Sequence, residues 1–403
     1  MYETSTVNLG DLVNSGHLEI GDGYRTKRSE HGKPGLPILR VAEVLDGRIA
    51  PEFTDFVSDR YRMAMGSKIS RPGDVVLTTK GTVGRIAIMP AGGPQFVYSP
   101  QVCYFRAEDR SPLAINYLYY WFRSEAFWSQ ARSLKSQTDM ADYINLADIK
   151  SLEIELPSDS VQASVTSVLA ALDDKITINE EILRASRGLM MLKYENAIQA
   201  GVEETTIGAV AQVFDGPHAT PKKTESGPWF LSISSLRNGR LVLEESAHLA
   251  EPDFEKWTRR VTPTAGDVLF SYETRLGEAA LMPTGIRACL GRRMALMRPH
   301  GVEPRTLLQA FLSPSFQETI KQYSVHGATV DRIPLSEFPS WRIGLPTQEP
   351  QQLEYVLRHL DELAEQRERE NETLAEIRDA LLPKLMSGEI RVREAEKVVE
   401  EVT

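Results

Sequence analysis

The sequence of 403 residues predicts an α+β fold: two pseudo-symmetric globular domains of mixed α and β structure, separated by two long helices that form an antiparallel coiled coil. Two observations predict this fold. An internal repeat covers nearly the whole chain, and such a repeat indicates a duplicated structural unit. Each copy of the repeat ends in a long segment whose apolar residues follow heptad spacing, which is typical of a coiled coil.

The repeat is clearest in two segments that start 193 positions apart: GDVVLTTKGTVGRIAIMP runs from Gly73 to Pro90, and GDVLFSYETRLGEAALMP runs from Gly266 to Pro283. In each segment two apolar runs flank a glycine-bearing turn, and this pattern predicts a β-hairpin. Toward the C-terminus the offset falls to 188, as loop insertions would produce. Helical spacing follows each hairpin, so each domain is expected to contain both α and β structure.

The two long helices are predicted by heptads that follow a Leu-Pro pair in each copy. The first seam is interrupted by Asn179 and Ser186, and the second by Arg367 and Glu370. These polar positions indicate either solvated breaks or a layer that fixes the register between the helices. The first apolar seam is Val165, Leu169, Leu172, Ile176, Leu183 and Met190, and the second is Leu353, Val356, Leu360, Leu363, Leu374, Ile377 and Leu381.

The repeat and the heptads divide the chain into four segments. We predict a first globular domain at residues 1–158, a central helical spacer at 159–200, a second globular domain at 201–346, and a C-terminal helical spacer with a tail at 347–403. Both domains begin with similar sequences. The C-terminal SGEIRV segment is therefore expected to return to the first domain and close it.

The net charge of −10 is concentrated in the predicted helices. Residues 161–204 hold 4 basic residues against 7 acidic ones, and residues 347–403 hold 8 against 15. The globular segments are close to neutral, so the overall charge does not exclude a basic face that binds nucleic acid.

Composition also predicts where the protein works. The two cysteines, Cys103 and Cys289, are too few for a disulfide framework and are expected to be buried in a reducing compartment. The chain has no apolar run of the roughly 18 residues that a membrane span needs, and no signal peptide pattern. A soluble cytoplasmic protein without membrane contact is expected.

The sequence lacks the motifs that carry catalysis. It contains no GxxxxGK[ST] phosphate loop, no GxGxxG after a strand, no Asn-Pro-Pro or Asp-Pro-Pro of an amino-methyltransferase, and no cysteine and histidine pattern with metal-ligand spacing. A non-catalytic protein without cofactor or metal is therefore expected. A self-sufficient enzyme is the disfavoured alternative.

Four segments resemble those of the specificity subunits of type I restriction-modification systems. They are GDVVLTTKGTVGRIAIMP, VLAALDDKITINEEI (Val168–Ile182), GRRMALMRP (Gly291–Pro299) and LLPKLMSGEIRV (Leu381–Val392). The order and spacing of these segments extend the resemblance over essentially the whole chain.

The resemblance implies a DNA-recognition subunit that serves phage defence. Each globular domain would be a target recognition domain for one half of a bipartite target in double-stranded DNA, while the helices would fix the spacer and dock two methylation subunits. Restriction subunits would join through the complex, and the partner subunits would use S-adenosylmethionine, ATP and Mg. A tandem-repeat scaffold that binds protein without DNA readout is the alternative interpretation.

Positions that differ between the two copies are the candidates for reading different half-targets, because the repeat should change where it meets bases. Arg and Lys suit guanine edges or phosphates, Gln suits adenine, and Glu can accept from cytosine. For Tyr98 the alternative is core packing, and for Lys222 and Lys223 a loop position favours phosphate. The candidate DNA contacts are Lys80, Thr82, Arg85, Tyr98 and Gln101 in the first domain and Lys222, Lys223, Tyr272, Glu273, Arg275, Arg292 and Arg293 in the second.

Two wide apolar stretches in the predicted helices exceed what one seam needs. Such surfaces are candidates for partner docking, and packing within the chain at the helix ends is the alternative. The predicted docking residues are Leu189, Met190, Leu192, Leu381, Leu382 and Leu385.

Overall fold

The structure is a computed structural model that describes residues 3–50, 52–108, 110–134, 136–137, 142–325, 330–348 and 350–400. The chain folds into two compact units. The first consists of Met1–Ile178 and Glu370–Thr403, and the second of Asn179–Arg369. Each unit therefore holds one globular domain and a part of each long helix.

The elements follow in chain order. Through the first long helix they are β1 (Thr4–Asn8), α1 (Leu9–Asn14), β2 (Leu18–Asp22), β3 (Gly35–Leu39), β4 (Phe56–Ser58), α2 (Arg62–Met65), β5 (Val75–Thr78), β6 (Ile86–Ile88), β7 (Val97–Tyr98), β8 (Val102–Ala107), α3 (Ile115–Phe122), α4 (Glu125–Leu134), β9 (Ser136–Gln137), β10 (Asp142–Tyr143), α5 (Leu146–Lys150), β11 (Glu153–Pro157) and α6 (Asp159–Ala200). The remaining elements are β12 (Val202–Thr206), α7 (Ile207–Val210), β13 (Ala211–Asp215), β14 (Lys223–Phe230), β15 (Leu236–Arg237), β16 (Arg240–Leu241), β17 (Ala247–Leu249), α8 (Phe254–Trp257), β18 (Val268–Ser271), β19 (Ala279–Leu281), β20 (Ala288–Cys289), β21 (Met294–Pro299), α9 (Pro304–Leu312), α10 (Pro314–Tyr323), β22 (Arg342–Pro346), α11 (Pro350–Met386) and α12 (Val392–Glu400).

Both globular domains are built on the same pair of sheets. The first domain has a four-stranded sheet, β2-β8-β5-β6, and a three-stranded sheet, β4-β3-β7; the second has β13-β21-β18-β19 and β17-β14-β20. The central strands pair in equivalent register, because Val75 lies opposite Phe105 and Val268 lies opposite Met297. An antiparallel ladder, β1 with β11 or β12 with β22, closes each domain just before its long helix. The predicted α+β class and the pseudo-symmetry of the domains are confirmed.

Strand β5 is buried on both faces, which explains why its sequence is a continuous apolar run. Val75 and Leu77 pack in one core with helix α3, and Val76 packs in a second core with Tyr98 and Tyr104. A sheet strand covered on both sides has no polar face and shows no alternation. Strand β18 repeats this arrangement in the second domain.

The two long helices pack antiparallel in the first unit. Arg378 Nη1 pairs with Asp173 Oδ1 at 2.9 Å, and Asn371 Nδ2 donates to Ile176 O at 3.4 Å. The polar seam positions Asn179 and Ser186, which belong to the second unit, are buried. The interpretation of these two positions as solvated breaks is therefore wrong.

The predicted seam of the second long helix is wrong at one position. Leu363 is 37% exposed, whereas Leu357 and Ala364 are buried in its place. Leu357 shares a core with Leu307 and Phe311 of α9. Helix α11 thus packs against its globular domain as well as against α6, and this second contact turns its buried face away from the predicted heptad.

The C-terminal tail returns to the first domain, as predicted. Ala395 and Val399 of α12 are buried in the core of the first unit together with Leu382 and Leu385. This packing makes residues at the two ends of the chain part of one core.

The structure also bears on the compositional predictions. Cys103 and Cys289 are free and buried, as expected. None of the helices among the described residues has the length and apolar character needed to cross a membrane. In the same described part of the chain, no group of three or more His, Cys, Asp or Glu side chains could hold a metal ion.

Candidate nucleic-acid interface

The candidate interface begins at the hairpin turn between β5 and β6 and at its counterpart between β18 and β19. In the first turn, Thr78 Oγ1 donates to Thr82 O at 2.6 Å and accepts from Arg85 N at 2.9 Å. In the second turn, Ser271 Oγ donates to Glu273 O at 2.7 Å. Hydroxyl groups at equivalent positions therefore close both turns, although the turn sequences differ.

One glycine in each turn is required by its conformation and by a close neighbour. Gly84 has φ of 97° and Gly277 has φ of 86°, a region that residues with a Cβ rarely adopt. A Cβ would lie 2.1 Å from the Trp128 ring at Gly84 and 2.1 Å from the Gln317 side chain at Gly277. The glycines persist in both copies because they build the scaffold.

In the first domain, three of the predicted contacts lie on one edge. The side chains of Lys80, Thr82 and Gln101 are exposed. Thr79 N donates to Gln101 O at 2.9 Å, which places the hairpin turn beside the turn before β8, and Lys80 forms a β-bridge with Tyr143. We call Lys80, Thr82, Gln101 and Tyr143 the variable edge of the first domain.

The second domain has a matching edge with different side chains. Tyr272 N donates to Arg293 O at 3.1 Å, and Arg293 Nε pairs with Glu273 Oε2 at 2.9 Å. Glu273 forms a β-bridge with Arg332, the counterpart of Lys80 with Tyr143. We call Glu273, Arg292, Arg293 and Arg332 the variable edge of the second domain. Tyr143 and Arg332 were missed by the sequence reasoning, although they lie at equivalent positions of the repeat.

The two predicted tyrosine contacts are not available to DNA. The Tyr98 side chain is fully buried, and its hydroxyl donates to Asp74 Oδ2 at 2.7 Å. Burial and the Asp74 carboxylate raise the pKa of Tyr98, and burial with the Asp215 carboxylate raises the pKa of Tyr272, which is also buried. Tyr98 therefore packs in the core, which was the alternative interpretation. The prediction that Tyr272 contacts DNA is wrong for the same reason.

Arg85 and Arg275 anchor a loop instead of projecting from the turn. Arg85 Nη1 donates to Val41 O at 3.2 Å, and Arg275 Nη1 donates to Ile233 O at 3.2 Å. Val41 and Ile233 are equivalent positions of the repeat, yet the two arginines occupy different positions in their turns. Arg275 also pairs with Glu278 at 3.1 Å. Both guanidinium groups are thus occupied by contacts within their own domains.

A repeated contact holds the base of the loop that leaves β2 or β13. Lys68 Nζ donates to Asp22 Oδ1 at 3.0 Å and to Gly23 O at 2.8 Å. Arg260 Nη1 donates to Asp215 Oδ2 at 3.0 Å and to Gly216 O at 2.9 Å in the second domain. We call this contact the loop clamp. It connects the loop to the segment that follows α2 or α8.

The clamped loops carry exposed cations. In the second domain the predicted contacts Lys222 and Lys223 are exposed where the loop enters β14. In the first domain Arg25, Lys27 and Arg28 are exposed on the equivalent loop. The sequence reasoning missed these three residues, although DGYRTKR at residue 22 matches DGPHATP at residue 215 with the offset of the hairpin.

Comparison with known proteins identifies the domain that carries this geometry. Residues 2–185 match the family model described as the type I restriction modification DNA specificity domain. This region is similar to type I DNA specificity domains. The resemblance to specificity subunits that the sequence predicted is confirmed by this match.

The similarity to specificity subunits extends beyond the matched domain. The chain is 21% identical over 399 residues to a putative type I restriction enzyme MjaX specificity subunit of Methanocaldococcus jannaschii, with 93% of this chain and 92% of that protein covered. It is also 21% identical over 353 residues to the type I restriction enzyme MjaIX specificity subunit of the same organism, with 81% and 80% covered.

A solved structure shares the fold. The S subunit of a type I restriction-modification system from M. genitalium superposes with a TM-score of 0.57 at 15% sequence identity, and the match covers 95% of this chain and 96% of that one. The chain therefore shares its fold with that subunit, and the matched sheets of the two domains show that the second half repeats the fold of the first.

The predicted apolar docking residues divide into two groups. Met190, Leu381, Leu382 and Leu385 are buried in the cores of their own units, so they do not form a docking surface. Leu189 and Leu192 on α6 are 39% and 54% exposed. The wide apolar stretches were misleading because the globular domain and α12 cover most of them.

Proposed function

We propose that this chain is the non-catalytic specificity subunit of a type I complex and that each globular domain reads one half of a bipartite DNA target. One observation carries the proposal: the two domains share strand register, turn closure and loop clamp, yet their variable edges differ. A duplicated scaffold with different exposed side chains at one edge is what two different half-targets require.

The chemistry of the edges supports different readout in the two halves. The first edge offers Lys80 as a donor for guanine or phosphate and Gln101 as a bidentate partner for adenine. The second edge offers the paired Glu273 and Arg293, which together present an acceptor for cytosine and a donor for guanine. The second half-target is therefore expected to contain a G·C pair at the position that faces this ion pair.

The long helices are proposed to fix the spacer and to dock two methylation subunits. Exposed Leu189 and Leu192 on the acidic helix α6 support a role in docking, since exposed apolar side chains close together favour a protein partner. S-adenosylmethionine would be used by the methylation subunits, and ATP and Mg by restriction subunits that join the complex.

The direct test is to map methylated adenines in cells that produce this chain with its methylation subunits. A bipartite motif that is lost without the chain is expected. The variant Lys80→Glu/Thr82→Arg, which gives the first turn the residues of the second, should change bases in one half of the motif and leave the other half intact. Methylation that does not depend on sequence would favour the protein-binding scaffold.

A further inference from the structure

A basic cleft of about 550 Å³ lies beside the loop clamp of the second domain. One wall is the loop after β13, which includes His218; the other is the segment from α8 onward, with Lys256, Trp257 and Arg259. Arg260 joins the two walls through its bonds to Asp215 and Gly216. Because the clamp joins the two walls, the backbone that carries the rim cations is positioned before any ligand binds.

The first domain has the same clamp, but several of its exposed cations lie at other positions of the repeat. Lys27 and Arg28 lie on the loop, where the second domain has Thr220 and Pro221. On the helix side, Lys256 of the second domain is replaced by Met63, which is 97% exposed. The positive charge is therefore kept beside the clamp in both domains, although it comes from different positions of the repeat.

None of these cations is neutralised within the described part of the chain. No carboxylate oxygen among the described residues lies within the 4.0 Å limit of an ion pair with Arg25, Lys27, Arg28, Lys256 or Arg259. Unpaired cations on a fixed surface are what phosphate contacts need. In contrast, Arg293 on the variable edge is paired with Glu273.

We propose that the basic surface at each loop clamp binds the DNA backbone and contributes affinity without sequence preference. This inference rests on the proposed DNA-reading function. A base-reading contact depends on the position and geometry of a side chain, whereas a phosphate contact depends mainly on charge. A surface that keeps its charge although the cations come from different positions of the repeat therefore matches a phosphate-binding role.

The test uses the full chain with its methylation subunits and duplexes with the mapped target or a scrambled one, over a series of salt concentrations. Lys256→Ala/Arg259→Ala is expected to weaken binding to both duplexes about tenfold and to lower the salt exponent by about 1.8, since each phosphate contact contributes about 0.9. The methylated motif should not change. Lys321→Ala/Arg369→Ala, which removes the same charge from exposed helix positions, is the matched control.

A result in which both double variants behave alike would overturn the inference, and so would a change in the methylated motif caused by Lys256→Ala/Arg259→Ala. If the unmodified complex shows no preference for any target, the proposed DNA-reading function fails instead. The two failures are therefore distinguishable.

A variant that removes cations from the loop and adds one on α2 tests the inference in the first domain. Arg25→Ala/Lys27→Ala should weaken binding to both duplexes, and adding Met63→Lys should restore part of the affinity and of the salt exponent, because it supplies a cation from the wall that the second domain uses. Met63 is almost fully exposed, so its replacement does not disturb the core. No recovery with Met63→Lys would contradict the proposal that charge can be supplied from either wall.

Discussion

At the scale of single residues, one ion pair inside each domain explains why Gly-Asp persists at the start of both hairpins. Arg106 Nη2 pairs with Asp74 Oδ2 at 2.7 Å, and Arg298 Nη2 pairs with Asp267 Oδ2 at 2.7 Å. Burial alone would lower the pKa of Arg106, but hydrogen bonds and the charge of Asp74 raise it, so the guanidinium group stays charged. It ties the hairpin to the neighbouring strand.

The two copies of this pair differ in exposure, and stability should differ accordingly. The Arg106 side chain is 7% exposed and that of Arg298 is 37% exposed. Asp74→Asn removes the more deeply buried of the two carboxylates that pair with Arg106, the other being Glu19 at 2.9 Å, and should lower the free energy of unfolding by about 3 kcal/mol. Asp267→Asn should lower it by about 1 kcal/mol, because water reaches the Arg298 end of the pair and screens it, although Asp267 itself is buried. Denaturant unfolding of the full chain measures both, and equal losses would contradict this explanation.

A second residue, Glu354 on α11, is expected to make the stability of the fold depend on pH. Thr306 N donates to Glu354 Oε2 at 3.2 Å, and the equivalent contact in the first domain uses a neutral side chain, because Ala114 N donates to Gln162 Oε1 at 2.9 Å. Burial raises the pKa of Glu354, although the bond from Thr306 and the charge of Arg305 partly offset this.

Glu354→Gln should therefore become more stable relative to the unmodified chain as the pH rises. A carboxyl group whose pKa is higher in the folded state stabilises the fold fully when the pH is below its ordinary pKa of 4.5. This stabilisation is lost as the pH rises through the pKa of the folded state. Thermal unfolding of both proteins between pH 4.5 and 8 measures the difference. A constant difference over this range would show that Glu354 does not titrate as expected.

At the scale of elements, periodic sequence patterns predicted the helices and strands that are determined by local sequence. The hairpins and the long helices follow from alternation, glycine positions and heptads. The error at Leu363 and the burial of Leu381 and Leu382 have a different origin: helix α11 packs on its globular domain and on α12, and a heptad does not reveal such contacts. Arg85 and Arg275 were expected to meet DNA because they flank exposed turns, but each bonds a carbonyl about 40 residues earlier in the chain.

The proposed role of the helices as a spacer predicts the effect of lengthening them. An insertion of four residues into both α6 and α11, near residues 179 and 369, adds about 6 Å of helix. The spacer between the methylated half-targets should then lengthen by one or two base pairs while both half-targets stay the same. Mapping of methylated adenines gives the spacer directly, and an unchanged spacer in an active complex would contradict the role of the helices in spacing.

At the scale of the whole molecule, the chain combines two copies of one scaffold with two acidic helical segments. The variable edges were partly predictable, since Lys80, Thr82, Gln101, Glu273, Arg292 and Arg293 stand where the repeat changes. Of the cations at the loop clamps only Lys222 and Lys223 were predicted, because comparing the copies position by position hides charge that comes from different positions of the repeat. Only the packing of Lys68 and Arg260 against their loops reveals that the two surfaces are equivalent.

The most direct test of the account is the methylated motif of a domain-exchange variant. Residues 1–158 and the tail from residue 387, which packs on the first domain, would be replaced together by those of a specificity subunit with a known target. Single-molecule sequencing of cells with the methylation subunits should show one half of the motif replaced by a half of the donor's target, with the other half unchanged. A motif in which both halves change, or neither does, would contradict the claim that each domain reads one half.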